Sequence, residues 1–201
     1  DVLLFMYPLL LALYVFQIIP RDNKAPRLNF QTKVICAFLY IPFGLLLLIK
    51  GSLLVLIVGI TSMTALLFWM RDMKKLAVTI CVIPVLSTII FSVVAKQSIA
   101  GLFYYIKSML DVTSGYTEAM SVNGRTAEVV LYIITALIML YCCYNAKNKT
   151  KDGRLFLTIA VALYLFIAFK AGFARHDSHA LTSAAAIFTA GFLLYTVLQH
   201  K

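Results

Sequence analysis

One short stretch, Phe169 to Ala180 (FKAGFARHDSHA), gathers Lys170, Arg175, His176, Asp177 and His179 between two long apolar runs. A guanidinium and an ammonium this close together suit a diphosphate, Arg through its bidentate fork and Lys as a point charge. Beside them Asp177, His179 or His176 can take a proton from an attacking hydroxyl. Each residue also has a plainer use. Asp177 or Ser178 can cap the helix that follows, and Lys170 can reach from its helix to lipid headgroups. His176 and His179 flank Asp177 without a further metal ligand nearby, so the spacing implies no metal centre and no cofactor.

A second group, Asp111, Tyr116, Glu118, Arg125 and Glu128, lies in the long link between Lys96 and Thr126 or just after it. Arg125 can assist the first group in holding an anion, and Tyr116 and Glu118 are further candidates.

The rest of the chain is the frame for these charges. Of its 201 residues 62% are hydrophobic and 13% charged, with a mean hydropathy of +0.93, far more apolar than a soluble domain. The formal charge of +10 does not indicate nucleic acid, because the basic residues sit at the ends of apolar runs rather than on one solvated face. Cys36, Cys81, Cys142 and Cys143 all fall inside apolar runs without metal-ligand or redox spacing.

Seven runs, near 2–20, 34–50, 52–70, 76–95, 127–145, 155–173 and 181–199, can each cross a hydrocarbon core of ~30 Å. The predicted fold class is therefore an all-α polytopic transmembrane bundle, forming a single domain. Lys50-Gly51-Ser52 is read as a tight turn between two crossings. Ile99, Leu102, Phe103, Ile106, Met109 and Leu110 recur at helical spacing, which predicts an amphipathic helix in the membrane interface. That helix is expected to break at DVTSGYTEAMSVNGR, where Gly115 and Asn123-Gly124 mark turns. The last run is rich in small residues, with Ala180-xxx-Ala184 and Ala186-xxx-Ala190, and is expected to be a buried helix.

Basic residues collect on the cytoplasmic side of a membrane. Twelve of the eighteen lie in links 21–33, 71–75 and 146–154 and at Lys201, which puts residue 1 outside, residue 201 in the cytoplasm and both charged groups on the outer face. The chain opens on Asp1 and leads straight into an apolar run, and it ends as abruptly. It is read as a segment whose partners include the remaining segments of the same protein.

FKAGFARHDSH at the outer end of a helix, after an outer loop carrying SGYTEAM, resembles bacterial O-antigen polymerases and ligases and related enzymes that transfer lipid-linked sugars. The likeness covers about eleven residues near the C-terminus and seven in the loop, and the chain lacks the large soluble periplasmic loop typical of ligases. It implies a protein of the bacterial inner membrane and a polyprenyl-diphosphate glycan as partner. Arg175, Lys170 and Arg125 would hold the diphosphate, and Asp177 or His179, with His176 near, would be the base. The competing class is a non-catalytic module of a transporter or flippase. Against it, the crossings carry no acidic or basic residue near their midpoints, where ion coupling would need one.

Overall fold

The structure, a computed structural model, describes residues 2–19, 28–146 and 149–199, with side chains for all of these except 113, 114 and 116–119. Among the described residues the chain forms α1 (Val2–Ile18), α2 (Phe30–Phe38), α3 (Pro42–Ile49), α4 (Leu54–Met70), α5 (Lys74–Val94), α6 (Ile99–Met120), α7 (Thr126–Tyr144), α8 (Lys151–Phe173) and α9 (Ala180–Gln199). Six stretches among the described residues are long and apolar enough to span a membrane: α4, with the turn before it, α5, α7, α8, α9 and the α2–α3 pair taken together. With 17 residues, α1 stands at the lower limit of a crossing. The expected all-α polytopic bundle is thus the architecture, and the helices fall into two compact units, residues 1–26 with 117–201, and residues 27–116.

In the first unit α8 is the central helix, with α1, α7 and α9 packed along it. Polar side chains fasten its neighbours where no water can serve as partner. The Tyr132 hydroxyl of α7 donates to Leu165 O at 2.8 Å, and Tyr164 of α8 donates to Ala186 O at 3.1 Å. Ser183 of α9 donates to Ala168 O at 2.6 Å. Gly172 lets α9 come this close, since a Cβ there would overlap the Ser183 hydroxyl. The buried stripe of α9 is Ser183, Ala186, Ala190 and Leu194, one residue per turn on one face. The expectation of a buried last helix is corrected: α8 is the enclosed one, whereas α9 exposes Leu181, Phe188, Phe192 and Tyr195. Small residues on one face allow close packing but do not enclose the other faces.

At the opposite end of α8, Lys149 closes the C-terminus of α1. Its Nζ donates to Phe16 O, Gln17 O and Ile19 O at 2.8, 3.1 and 2.9 Å, and lies 4.9 Å from the centre of the Phe16 ring. A cation satisfies carbonyls that have no partner within the helix and complements the negative end of its dipole.

In the second unit α5 packs against α2, α3 and α4. Pro42 begins α3 part-way along one apolar stretch: α2 ends at Phe38, and a turn of i to i+3 bonds joins the two helices. Pro84 stays inside α5, and its carbonyl accepts from Ser87 and Thr88 at 3.0 and 2.7 Å. Against this polar spot lies Gly44, where a Cβ would overlap the Ser87 hydroxyl. The break at Lys50 is present, with Lys50 extended (φ −146°, ψ 97°) before a 3-10 turn over Gly51–Leu53. Gly51 adopts no positive φ; it makes room for Met109, whose side chain would collide with a Cβ.

The ends of α4 and α5 share one device. Asp72 and Lys96 take left-handed φ values of 57° and 58°. The next amides reach back to Phe68 O and Ser92 O at 2.9 Å, while Asp72 N–H and Lys96 N–H bond Trp69 O and Val93 O, the Schellman pattern.

The sequence reading of α6 needs one correction. The helix does not break at Asp111 or Gly115 but continues to Met120. Gly115 costs a helix only about 1 kcal/mol relative to Ala, which its neighbours outweigh. Leu102, Tyr105, Ile106 and Met109 form a half-buried stripe, and Tyr105 donates a three-centre bond to Leu47 O and Leu48 O, at the end of α3. Ile99, Phe103 and Leu110 form an adjoining stripe that is exposed, and Lys107, Ser108 and Asp111 lie beyond it. Three such sectors on one helix suit a boundary between protein, lipid and water.

Candidate functional site

The turn between α8 and α9, residues 174–179, is held by the hydrogen bonds of one carboxylate. Asp177 Oδ1 accepts the His179 backbone N–H at 3.0 Å and lies 2.6 Å from His179 Nδ1. Its Oδ2 accepts the Arg175 Nε–H at 2.9 Å. These contacts, first the backbone N–H of His179, then its ring and the Arg175 charge, hold the Asp177 carboxyl down to about 2. Arg175 and Asp177 remain 39% and 34% exposed, so a ligand can reach both. The capping role is present in modified form: Asp177 braces the turn that leads into α9, whose first amides bond to the carbonyls of Asp177, Ser178 and His179.

His176 is placed differently from its neighbours. Its side chain is only 8% exposed, its Nε2 lies 3.0 Å from Glu128 Oε2 at the start of α7, and its ring meets Phe173 edge-on at 4.9 Å. Gly124 covers it so closely that a Cβ there would overlap the imidazole. One residue pair, Val122 and Arg175, bridges the two loops through their backbones. The turn before α7 therefore lies across the turn before α9, and His176 and Glu128 fasten them together.

Arg175, His176, Asp177 and His179 are thus gathered at one end of the first unit. Arg125 follows Gly124 directly, is exposed, and forms no side-chain hydrogen bond or ion pair among the described residues. Lys170 is half-buried in the last turn of α8, where its carbonyl receives the Ala174 amide. Asp111 is exposed on α6. The backbones of Tyr116 and Glu118 belong to α6, but their side chains lie outside the described residues. Among the described residues no three His, Cys, Asp or Glu side chains converge as a metal-binding group.

Beneath the charged turn the structure has an element that the sequence did not reveal. An apolar groove of about 780 Å³ runs between α7 and α9, from Glu128 and Asp177 at one end to Met139 and Tyr195 at the other. Most of its lining comes from two helices some fifty residues apart in sequence, with Phe173 of α8 and Asp177 of the turn at one end, so no local pattern marks it. Gly124, Lys149 and Tyr132 were also missed. Each acts through a contact distant in sequence, although the Asn123-Gly124 pair did mark the loop.

No protein-family model, curated protein or solved structure matches this chain.

Proposed function

We propose that this membrane protein transfers glycan from a polyprenyl-diphosphate carrier at the outer face of the bacterial inner membrane, with residue 1 outside and residue 201 in the cytoplasm. The observation that carries this reading is the bracing of one imidazole by Asp177. A carboxyl held near pH 2 is ionised at neutral pH and can only accept, so the proton between Asp177 and His179 belongs to Nδ1. That tautomer leaves the Nε2 lone pair of neutral His179 as the base, with Asp177 orienting it.

In the reaction an acceptor hydroxyl oxygen bonds to the anomeric carbon as the bond from that carbon to the diphosphate oxygen breaks. The hydroxyl proton passes to His179 Nε2, and polyprenyl diphosphate leaves. Arg175 spends its Nε–H on Asp177 and keeps the other N–H groups of its guanidinium for the diphosphate. Arg125 and Lys170 add charge from the neighbouring turn and from α8. His176 positions the two turns.

The test is surface-glycan length in cells carrying the full-length protein with Arg175→Lys or His179→Gln, with insertion and thermal stability as controls. Transfer should fail in both while the protein stays folded, because Lys lacks the fork and Gln is no base. Normal glycan in both would make the site structural, as in a transporter or flippase module. Cysteines at Ser121 and Ser178 should label from the periplasm, and one at Asn148 only after permeabilisation. The reverse pattern would place the cluster on the wrong face for this chemistry.

A further inference from the structure

We infer that Glu128 is a positioning residue for the anion subsite: through His176 it sets Arg125 and Arg175 in register, so that both guanidinium groups grip one diphosphate. The inference rests on the function proposed above for the identity of that anion. The register itself comes from the contacts between the two turns.

Each turn carries one of the arginines, and Glu128 connects them. On its own side it is the third residue of α7, and its backbone N–H donates to Arg125 O at 3.0 Å, so the first turn of the helix fixes these two residues relative to each other. On the other side its Oε2 lies 3.0 Å from Nε2 of His176, the residue next to Arg175. The remaining contacts keep the same order along both chains. Val122 and Arg175 form a parallel backbone bridge, and Gly124 lies against the His176 ring. Arg125 follows at the next α-carbon, ~3.8 Å further on.

His176 transmits the setting. Its side chain is only 8% exposed, Phe173 stands edge-on to the ring, and Gly124 covers it. With those sides filled, the bond to Glu128 fixes how the ring is turned. Residues 121–128 are all exposed, so the turn before α7 is not set by burial of its own side chains. A carboxylate at the third position of a helix ordinarily serves that helix, bonding back to the cap amide or complementing the dipole. Here it reaches a residue 48 positions away. Its charge cannot be what recommends it, because a carboxylate beside an anion subsite repels the ligand. Charge and position therefore predict opposite outcomes when Glu128 is changed.

The experiment titrates the purified full-length protein in detergent with inorganic pyrophosphate. Glu128→Gln removes the charge but still offers His176 a hydrogen-bonding partner, so affinity should be unchanged or up to about threefold tighter. Glu128→Asp keeps the charge on a side chain one methylene shorter and should weaken binding about threefold or more. Glu128→Ala should weaken it about tenfold, the worth of one charge-assisted contact. Arg125→Gln should cost about tenfold in the unaltered protein and less than about twofold when combined with Glu128→Ala, because the arginine is then already out of register. Inorganic phosphate, too small to need both guanidinium groups, should lose less than about twofold in Glu128→Asp. Unchanged pyrophosphate affinity in Glu128→Asp, or tighter binding in Glu128→Ala, would overturn the inference, since charge alone gives both. So would an equal loss for phosphate, which would make the occupant a single phosphate such as a phospholipid headgroup. The Gln and Asp variants decide the matter even if the Ala variant misfolds. If these affinities hold but Arg175→Lys and His179→Gln leave glycan normal, the transferase reading fails and the role of Glu128 stands.

Discussion

The imidazole of His176 lies so close to the α-carbon of Gly124 that a methyl group added there would overlap the ring. The ring cannot easily retreat, because Phe173 meets its face or edge on one side and Glu128 holds Nε2. Gly124→Ala should therefore cost about 1–3 kcal/mol, the usual penalty for overpacking. In a double-mutant cycle with His176→Ala, the combined loss should fall clearly below the sum of the single losses. Thermal unfolding in detergent measures both. Additive losses would mean that the two residues do not act on each other.

Lys149 gives a second prediction at the far end of the same unit. Its ammonium serves three carbonyls at the end of α1, so Lys149→Met, which keeps the stem and loses the charge, should destabilise the protein by about 1–2 kcal/mol. Limited proteolysis should show the damage as faster cleavage near the end of α1. Unchanged stability and cleavage would mean that lipid or water replaces the ammonium without loss.

Asp72 and Lys96 supply a prediction of opposite sign. Both adopt the left-handed backbone conformation, which costs an L-residue with a side chain roughly 1–2 kcal/mol relative to glycine. Lys96 is exposed and ends α5, so Lys96→Gly should leave the Schellman bonds intact and stabilise by about 1 kcal/mol, less the greater freedom of glycine in the unfolded chain. A lower melting temperature would show that the Lys96 side chain contributes more than its backbone strain costs.

The parts of the molecule that the sequence made legible are those set by local composition. Long apolar runs mark the helices, Gly51 lies in the short turn that separates α3 from α4, and the mixed charge of FKAGFARHDSHA marks the turn between α8 and α9 where polar groups meet. What stayed hidden depends on contacts between distant segments. Gly115 looked like a turn yet lies within α6, because a lone glycine only weakens a helix. The small residues of α9 suggested enclosure, but its Ser183–Ala186–Ala190 face alone is buried against α8 while its other faces carry Phe188 and Phe192. At the candidate site, the cluster in the α8–α9 turn was readable as charge. The pairing of His176 with Glu128, forty-eight residues away, was not.

The final prediction joins the protonation of Asp177 to the proposed chemistry. Its carboxyl is held down to about 2 from an ordinary value of 3.8, so the folded state favours the ionised form. A depressed carboxyl contributes stability that is fully present above its unfolded value and is lost as pH falls through its folded value. The stability difference between the unaltered protein and Asp177→Asn should therefore be constant above about pH 4 and shrink towards pH 2. At neutral pH the same substitution acts on His179. An amide accepts at one oxygen only: turned to donate toward Nδ1 it also opposes the His179 backbone N–H, and turned to accept there it opposes the Arg175 Nε–H, so in either orientation the charge that steadies the base is lost and the turn gives up one of its bonds. Glycan transfer should fall about 10²- to 10⁴-fold, the range a positioned general base supplies, with little change in affinity for the lipid carrier. The two measurements are independent. A stability difference that follows this pH course with transfer unaffected would confine Asp177 to bracing the α8–α9 turn, and a lost affinity with an unchanged rate would make it a binding group rather than the partner of a base.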